Sequence, residues 1–151
     1  MISSFKKLKS NAPSDGQHPV GRRIVFYWLP LVGFCSLIFW QSSKPSLGLP
    51  SFFPHFDKLL HFSAYYVMAI LAARALTREK PGISKIRVYM FAIGFCVLFG
   101  ISDEIHQSFV PGRTPSFWDV AADALGSWFG ARFYLGRIFE SGKSLSESTQ
   151  P

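Results

Sequence analysis

The sequence predicts an all-α fold: a polytopic membrane bundle of four transmembrane helices with both termini in the cytoplasm. Three observations carry that prediction. Of the 151 residues, 48% are apolar and 17% aromatic, and the apolar ones are gathered into four blocks. The sixteen Phe stand largely in runs that lack the polar stripe of a soluble surface helix. The Lys and Arg side chains lie mostly between and outside the blocks, as positive charge does on the cytosolic side of a membrane.

Composition also excludes. So much apolar and aromatic content is incompatible with a wholly disordered chain. Two cysteines cannot build a disulfide scaffold or a four-Cys zinc site. The net charge of +7 would suit nucleic acid, but its layout assigns it to a membrane surface, so membrane lipids and no nucleic acid are the expected partners.

Residues 1–23 are polar and basic and read as a mobile tail. The membrane domain occupies 24–137. Its first block, 24–40, is a 17-residue run without charge, near the lower limit for a span. The run is long and aromatic and ends in Trp40 without a small-x-small site, so an uncleaved span is expected rather than a secretory signal. Pro30 is expected to kink it. Residues 41–56 hold three prolines and read as an interfacial loop. The second block is 59–76, followed by a polar turn at 77–87 with Pro81-Gly82 as breaker. The third is uncharged over 88–102 and continues towards Phe109, before Pro111-Gly112. The fourth is 117–135. Residues 138–151 form a polar C-terminal tail, of which 140–151 are expected to be disordered.

Orientation follows from charge. The N-terminal tail, the 74–87 segment and the C-terminal end together carry 13 of the 16 Lys and Arg; the other side has only Lys44, Lys58 and Arg113. The basic side is assigned to the cytosol of a bacterial inner membrane.

The polar residues that interrupt the blocks are the functional candidates, because an ionisable group in a bilayer is costly. Asp57, Lys58 and His61 open the second helix. Asp103, Glu104, His106 and Gln107 close the third. Arg113 lies in the turn, and Asp119 and Asp123 begin the fourth. In this orientation all fall at the extracytoplasmic side. Asp57 and His61 are four apart and share a helix face. Asp119, Asp123, Gly126 and Gly130 form one stripe, acidic outside and small inside, whose G-x-x-x-G lets a neighbouring helix approach. Asp123 lies nine residues, about 14 Å, from Arg132. That places it midway through a ~30 Å core, to be paired, neutral or facing water, with Lys58, His61 or Arg113 as partner.

Structural roles compete at single positions. Ser116-x-x-Asp119 fits a capping box, Asp57 is a possible cap of the second helix, and Val110-Pro-Gly-Arg113 suits a type II turn. Cys35 and Cys96 read as small apolar packing. Neither H-E-x-x-H nor G-x-S-x-G nor G-x-G-x-x-G occurs, and Ser141-Gly-Lys-Ser144 lacks the first glycine of a phosphate loop. Carboxylates and His are residue types that can hold a divalent metal, but no ligand spacing compels one, so no metal ligand is assigned and the cofactor is left open.

At these residues the sequence resembles the VanZ-like family of bacterial membrane proteins. The matching stretches are Asp57-Lys58-x-x-His61-Phe62 with Tyr65; Ser102-Asp103-Glu104-x-x-Gln107-x-Phe109-x-Pro111-Gly112-Arg113; and Ser116-x-x-Asp119-x-x-x-Asp123-x-x-Gly126-x-x-x-Gly130. Position 123 departs from the resemblance, being Asp where the family is expected to favour Asn. The resemblance implies a small polytopic inner-membrane domain, linked by name to glycopeptide antibiotic resistance, and implies no particular reaction.

Three functions fit. In the first, a pocket binds or modifies an envelope lipid, lipid-linked glycan or peptide, with Asp57, Lys58, Gln107, Arg113 and Asp123 contacting the ligand. In the second, His61 with Asp103, Glu104 or Asp119 performs acid–base catalysis on such a substrate. In the third, the polar cluster only locks the helices.

Overall fold

The protein, seen in a computed structural model, is described at residues 20–45 and 55–147, with side chains to Ile138. The expected N-terminal tail up to residue 19, most of the expected loop (46–54) and residues 148–151 lie outside the described residues.

Four helices and no strands make up the described chain. They are α1 (Gly21–Ser42), α2 (Phe56–Glu79), α3 (Lys85–Gln107) and α4 (Phe117–Glu147). Among the described residues, α1, α2 and α3 are long and apolar enough to cross a membrane. The fourth helix is not in that set, because Asp119, Asp123 and Arg132 stand close together in it. It is long and α-helical all the same, and its backbone runs on to Glu147, beyond the point where the sequence suggested a disordered tail. No proline interrupts 138–147, and once a helix is nucleated and packed, each added residue costs little.

Pro30 follows an irregular turn of α1. The turn before it, Ile24–Trp28, is π-helical. Proline offers no N–H to the carbonyl four residues back, that of Phe26. The Phe26 carbonyl instead accepts a hydrogen bond from Arg74 Nη1 of α2 at 3.0 Å. Nearby, Arg23 donates to Glu79 Oε1 at 2.6 Å and to the Glu79 carbonyl at 3.0 Å. Both contacts pin the start of α1 to the end of α2.

Helices α2, α3 and α4 form the packed body, and α1 leans on its outside. Only 6% of the apolar window of α1 is buried, against 39% for α2. The centre is built of small side chains, with Ala69, Ala72, Ala73, Ala92, Cys96 and Ala131 packed around Met68, Val88 and Leu135. Small residues bring helix backbones together where lipid supplies no hydrophobic drive. The G-x-x-x-G of α4 does this directly. A Cβ at Gly126 would run into the Phe62 carbonyl of α2, and one at Gly130 into the Tyr66 carbonyl.

The outer surface is apolar. Leu98, Met90 and Ile86 are 70%, 64% and 63% exposed. Contiguous exposed apolar area of this kind marks a membrane-facing surface. Trp40, Phe109, Phe117 and Trp118 are exposed at the end where α1 and α3 finish and α4 begins. The amphipathic rings of tryptophans such as Trp40 and Trp118 collect at that level of a bilayer.

Candidate functional site

The start of α2, the end of α3 and the start of α4 meet at this end, and there the polar residues converge. At the head of α2, His55 takes a left-handed conformation (φ 65°) and occupies the N-cap position. Asp57 therefore lies within the first turn and is not the cap. Its carboxylate instead accepts from Lys58 Nζ at 2.6 Å and stays largely exposed. Lys58 also forms an ion pair with Asp119 of α4. One turn further along both helices, His61 Nδ1 and Asp123 Oδ1 are 3.0 Å apart. Of the three partners open to Asp123 in the sequence, His61 is the one that meets it. Asp123 is 1% exposed, so this carboxylate is held inside the bundle.

Helix α3 supplies the third wall. Gln107 Nε2 donates to Asp103 Oδ2 at 2.8 Å, one turn apart on the same helix. Glu104 Oε2 accepts the Ser116 backbone N–H at 2.7 Å and so ties the end of α3 to the start of α4. The connection runs through a turn in which Gly112 has φ 82° and the Arg113 N–H reaches the Val110 carbonyl at 3.1 Å. That is the predicted type II geometry, with glycine where φ must be positive. It projects Arg113 back over the cluster.

Several buried polar atoms here have no hydrogen-bond partner among the described residues: the Tyr65 hydroxyl, Asp103 Oδ1, Glu104 Oε1, Arg113 Nε and Asp123 Oδ2. Buried polar groups are ordinarily satisfied, and each exception asks for an explanation. A cavity of about 240 Å³ opens beside them. Phe34, Leu37 and Ile38 of α1 and Leu60 and Ala64 of α2 form its apolar wall. Asp57, His61, Tyr65, Asp103, Gln107 and Arg113 form its polar wall, joined by Gln41 and Ser42 at the end of α1. Glu104, Asp119, Asp123 and Lys58 stand behind that wall and do not line the cavity. A ligand atom from each of His61, Glu104 and Asp119 lies within 4.8 Å of the others, the one group among the described residues placed to hold a metal ion.

Three contributors were not among the expected site residues. Tyr65 is 1% exposed and lines the cavity; its position one turn after His61 on the same face was the available signal. Gly100 makes room for Asp123, since a Cβ there would sit 2.7 Å from Asp123 Oδ2. Its spacing from Asp103 and Gln107 placed it on their face. The Ser116 contact uses backbone and has no signature in residue type. His106, polar and at the same end, turns away: its ring packs at a tilt on Phe39 with centroids 4.3 Å apart and meets Ser43 Oγ at 3.0 Å.

Fold and site together define a helical membrane protein that encloses an ionisable cluster between its spans. The chain belongs to the VanZ/LLP1 family, whose model matches residues 4–140. No curated protein and no solved structure matches it significantly.

Proposed function

We propose that this protein crosses the bacterial inner membrane four times, with both termini in the cytoplasm, and binds or modifies an amphiphilic cell-envelope molecule at an extracytoplasmic site. The fourth span is α4. Its acidic stripe faces inward, while Leu125, Trp128, Phe129 and Phe133 are exposed on its outside as lipid contacts. The distribution of Lys and Arg supports the orientation.

One observation carries the binding reading. The cavity sets apolar side chains of α1 against Arg113, His61 and Gln107. Arg113 Nε is buried there without a partner. A guanidinium so placed fits the phosphate or carboxylate of a lipid or lipid-linked glycan, while α1 accommodates the greasy part. Lys58, expected to contact the ligand, is left out of this reading, because the two acids Asp57 and Asp119 already hold it.

A second reading, a membrane enzyme, is favoured by His61. Its imidazole lines the cavity and its Nδ1 is engaged by the buried Asp123. A carboxylate that orients an imidazole beside a substrate pocket is an arrangement suited to acid–base catalysis.

The test is a set of variants, His61→Ala, Arg113→Ala and Asp103→Asn, made in the natural host. Each is expected to reach the membrane at the wild-type level and to lose the protein's phenotype, read as tolerance to glycopeptide antibiotics. Loss of accumulation in all of them would instead assign the cluster a purely structural role. Product formation from an envelope lipid by purified protein, lost with His61→Ala, selects the enzyme over the binder.

A further inference from the structure

We propose that His61, Glu104 and Asp119 form a binding site for one divalent transition-metal ion of the Mn²⁺ or Zn²⁺ class. The residues come from three helices and are 43 and 15 positions apart in sequence, so no local motif announces them. The geometry brings one potential ligand atom of each to within 4.8 Å of the others. Such an ion holds nitrogen and oxygen donors at about 2.0–2.2 Å.

Two further observations point to a cation. Glu104 is 7% exposed, and while Ser116 satisfies its Oε2, its Oε1 has no hydrogen-bond partner. A buried carboxylate left half satisfied beside a second buried carboxylate, Asp119, is costly unless positive charge joins them. The other observation is the His61–Asp123 contact of 3.0 Å. A metal-ligating histidine almost always gives its second ring N–H to a carboxylate or carbonyl, which fixes the tautomer and aims the free nitrogen. With Nδ1 on Asp123, Nε2 is the nitrogen turned to the ion.

The donor set selects the metal. One imidazole and two carboxylates suit Mn²⁺, Zn²⁺ or Fe²⁺, whereas Mg²⁺ and Ca²⁺ prefer oxygen throughout. Lys58 engages Asp119 through Oδ1, and a carboxylate offers a second oxygen to an ion. Three protein ligands leave a coordination position open. Because His61 also lines the cavity, the ion sits beside whatever the cavity takes. The inference stands on the triad and not on the identity of that ligand.

The test uses the full chain, tag-free in detergent and stripped with a chelator, titrated with MnCl₂ or ZnCl₂ alone. Saturable uptake of one ion per chain with a raised Tm is expected. Glu104→Gln should weaken uptake more than about 100-fold and Asp123→Asn about 10–100-fold, while Arg23→Ala at the opposite end leaves it unchanged. If Glu104→Gln does not fold, Co²⁺ loaded into the wild-type protein decides: d–d bands of a low-coordinate nitrogen/oxygen site support the proposal, and thiolate charge-transfer bands overturn it. Absence of saturable uptake by the wild type, or uptake that survives Glu104→Gln in folded protein, also overturns it. Failure of envelope lipid to bind would leave this result untouched, so the two readings fail separately.

Discussion

The two ends of the bundle are built on opposite rules. At the basic end, where α1 begins and α2 finishes, the interior is alanine, methionine, valine and leucine, and the polar groups sit at the rim in closed contacts: Arg23 with Glu79, Arg74 with the Phe26 carbonyl. At the polar end, acids, an imidazole and a guanidinium are drawn inside, and several of their atoms or neighbours are buried without hydrogen-bond partners. Close backbone approach over Gly126 and Gly130 makes this possible, since it braces α2 against α4 between the two ends. One end supplies rigidity, and the other holds unsatisfied groups at fixed positions. Sites that do chemistry or bind ligands are expected to store unspent interactions of this kind, and structural packing is not.

Substitutions can break or sharpen the contrast. The largest expected effect is at the brace. Gly126→Ala forces a methyl onto the Phe62 carbonyl, which is backbone and cannot swing aside, so a loss of about 1–3 kcal/mol is expected in reversible unfolding from detergent micelles. An unchanged stability would mean that α2 and α4 stand further apart. Next, Tyr65→Phe removes a buried hydroxyl without a partner. It should leave stability unchanged or raise it, by up to about 1–3 kcal/mol, in the same measurement. Destabilisation would show that the hydroxyl is engaged in the membrane. A smaller effect belongs to Arg74→Ala, about 0.6 kcal/mol, typical of polar contacts between membrane helices. A cycle with Pro30→Ala sharpens it: with the helical N–H restored at position 30, the arginine should lose most of its worth. The smallest is Arg23→Ala. Its ion pair with Glu79 is about a third exposed and should contribute between about 0 and 1 kcal/mol, falling with salt.

Much of this architecture was legible from residue pattern. Charge-free apolar blocks, breakers at Pro81-Gly82 and Pro111-Gly112, and the type II turn depend on neighbours in the chain, and the structure carries all of them. The glycine stripe of α4 was also readable, because spacings of four and three define a helix face whatever packs on it. Other features were not. Pro30 was visible, but not that the π-helical turn before it would offer its Phe26 carbonyl to an arginine 48 positions away. Asp57 looked like a cap, and His55 occupied the cap position. Asp123 had three possible partners in sequence, and only packing selected His61. In the same way Lys58, expected to face a ligand, pairs with two acids.

By itself the sequence determined the helices, their breaks and the gathering of ionisable groups towards one end, because these follow from local propensity and from the cost of placing charge in hydrocarbon. The tertiary structure alone decided which acid meets which base, that a histidine and two carboxylates from separate helices converge, and that a half-apolar cavity opens beside them. Those outcomes depend on the rotation and separation of helices about their axes. Close contacts between residues dozens of positions apart set these quantities, and no local periodicity encodes them.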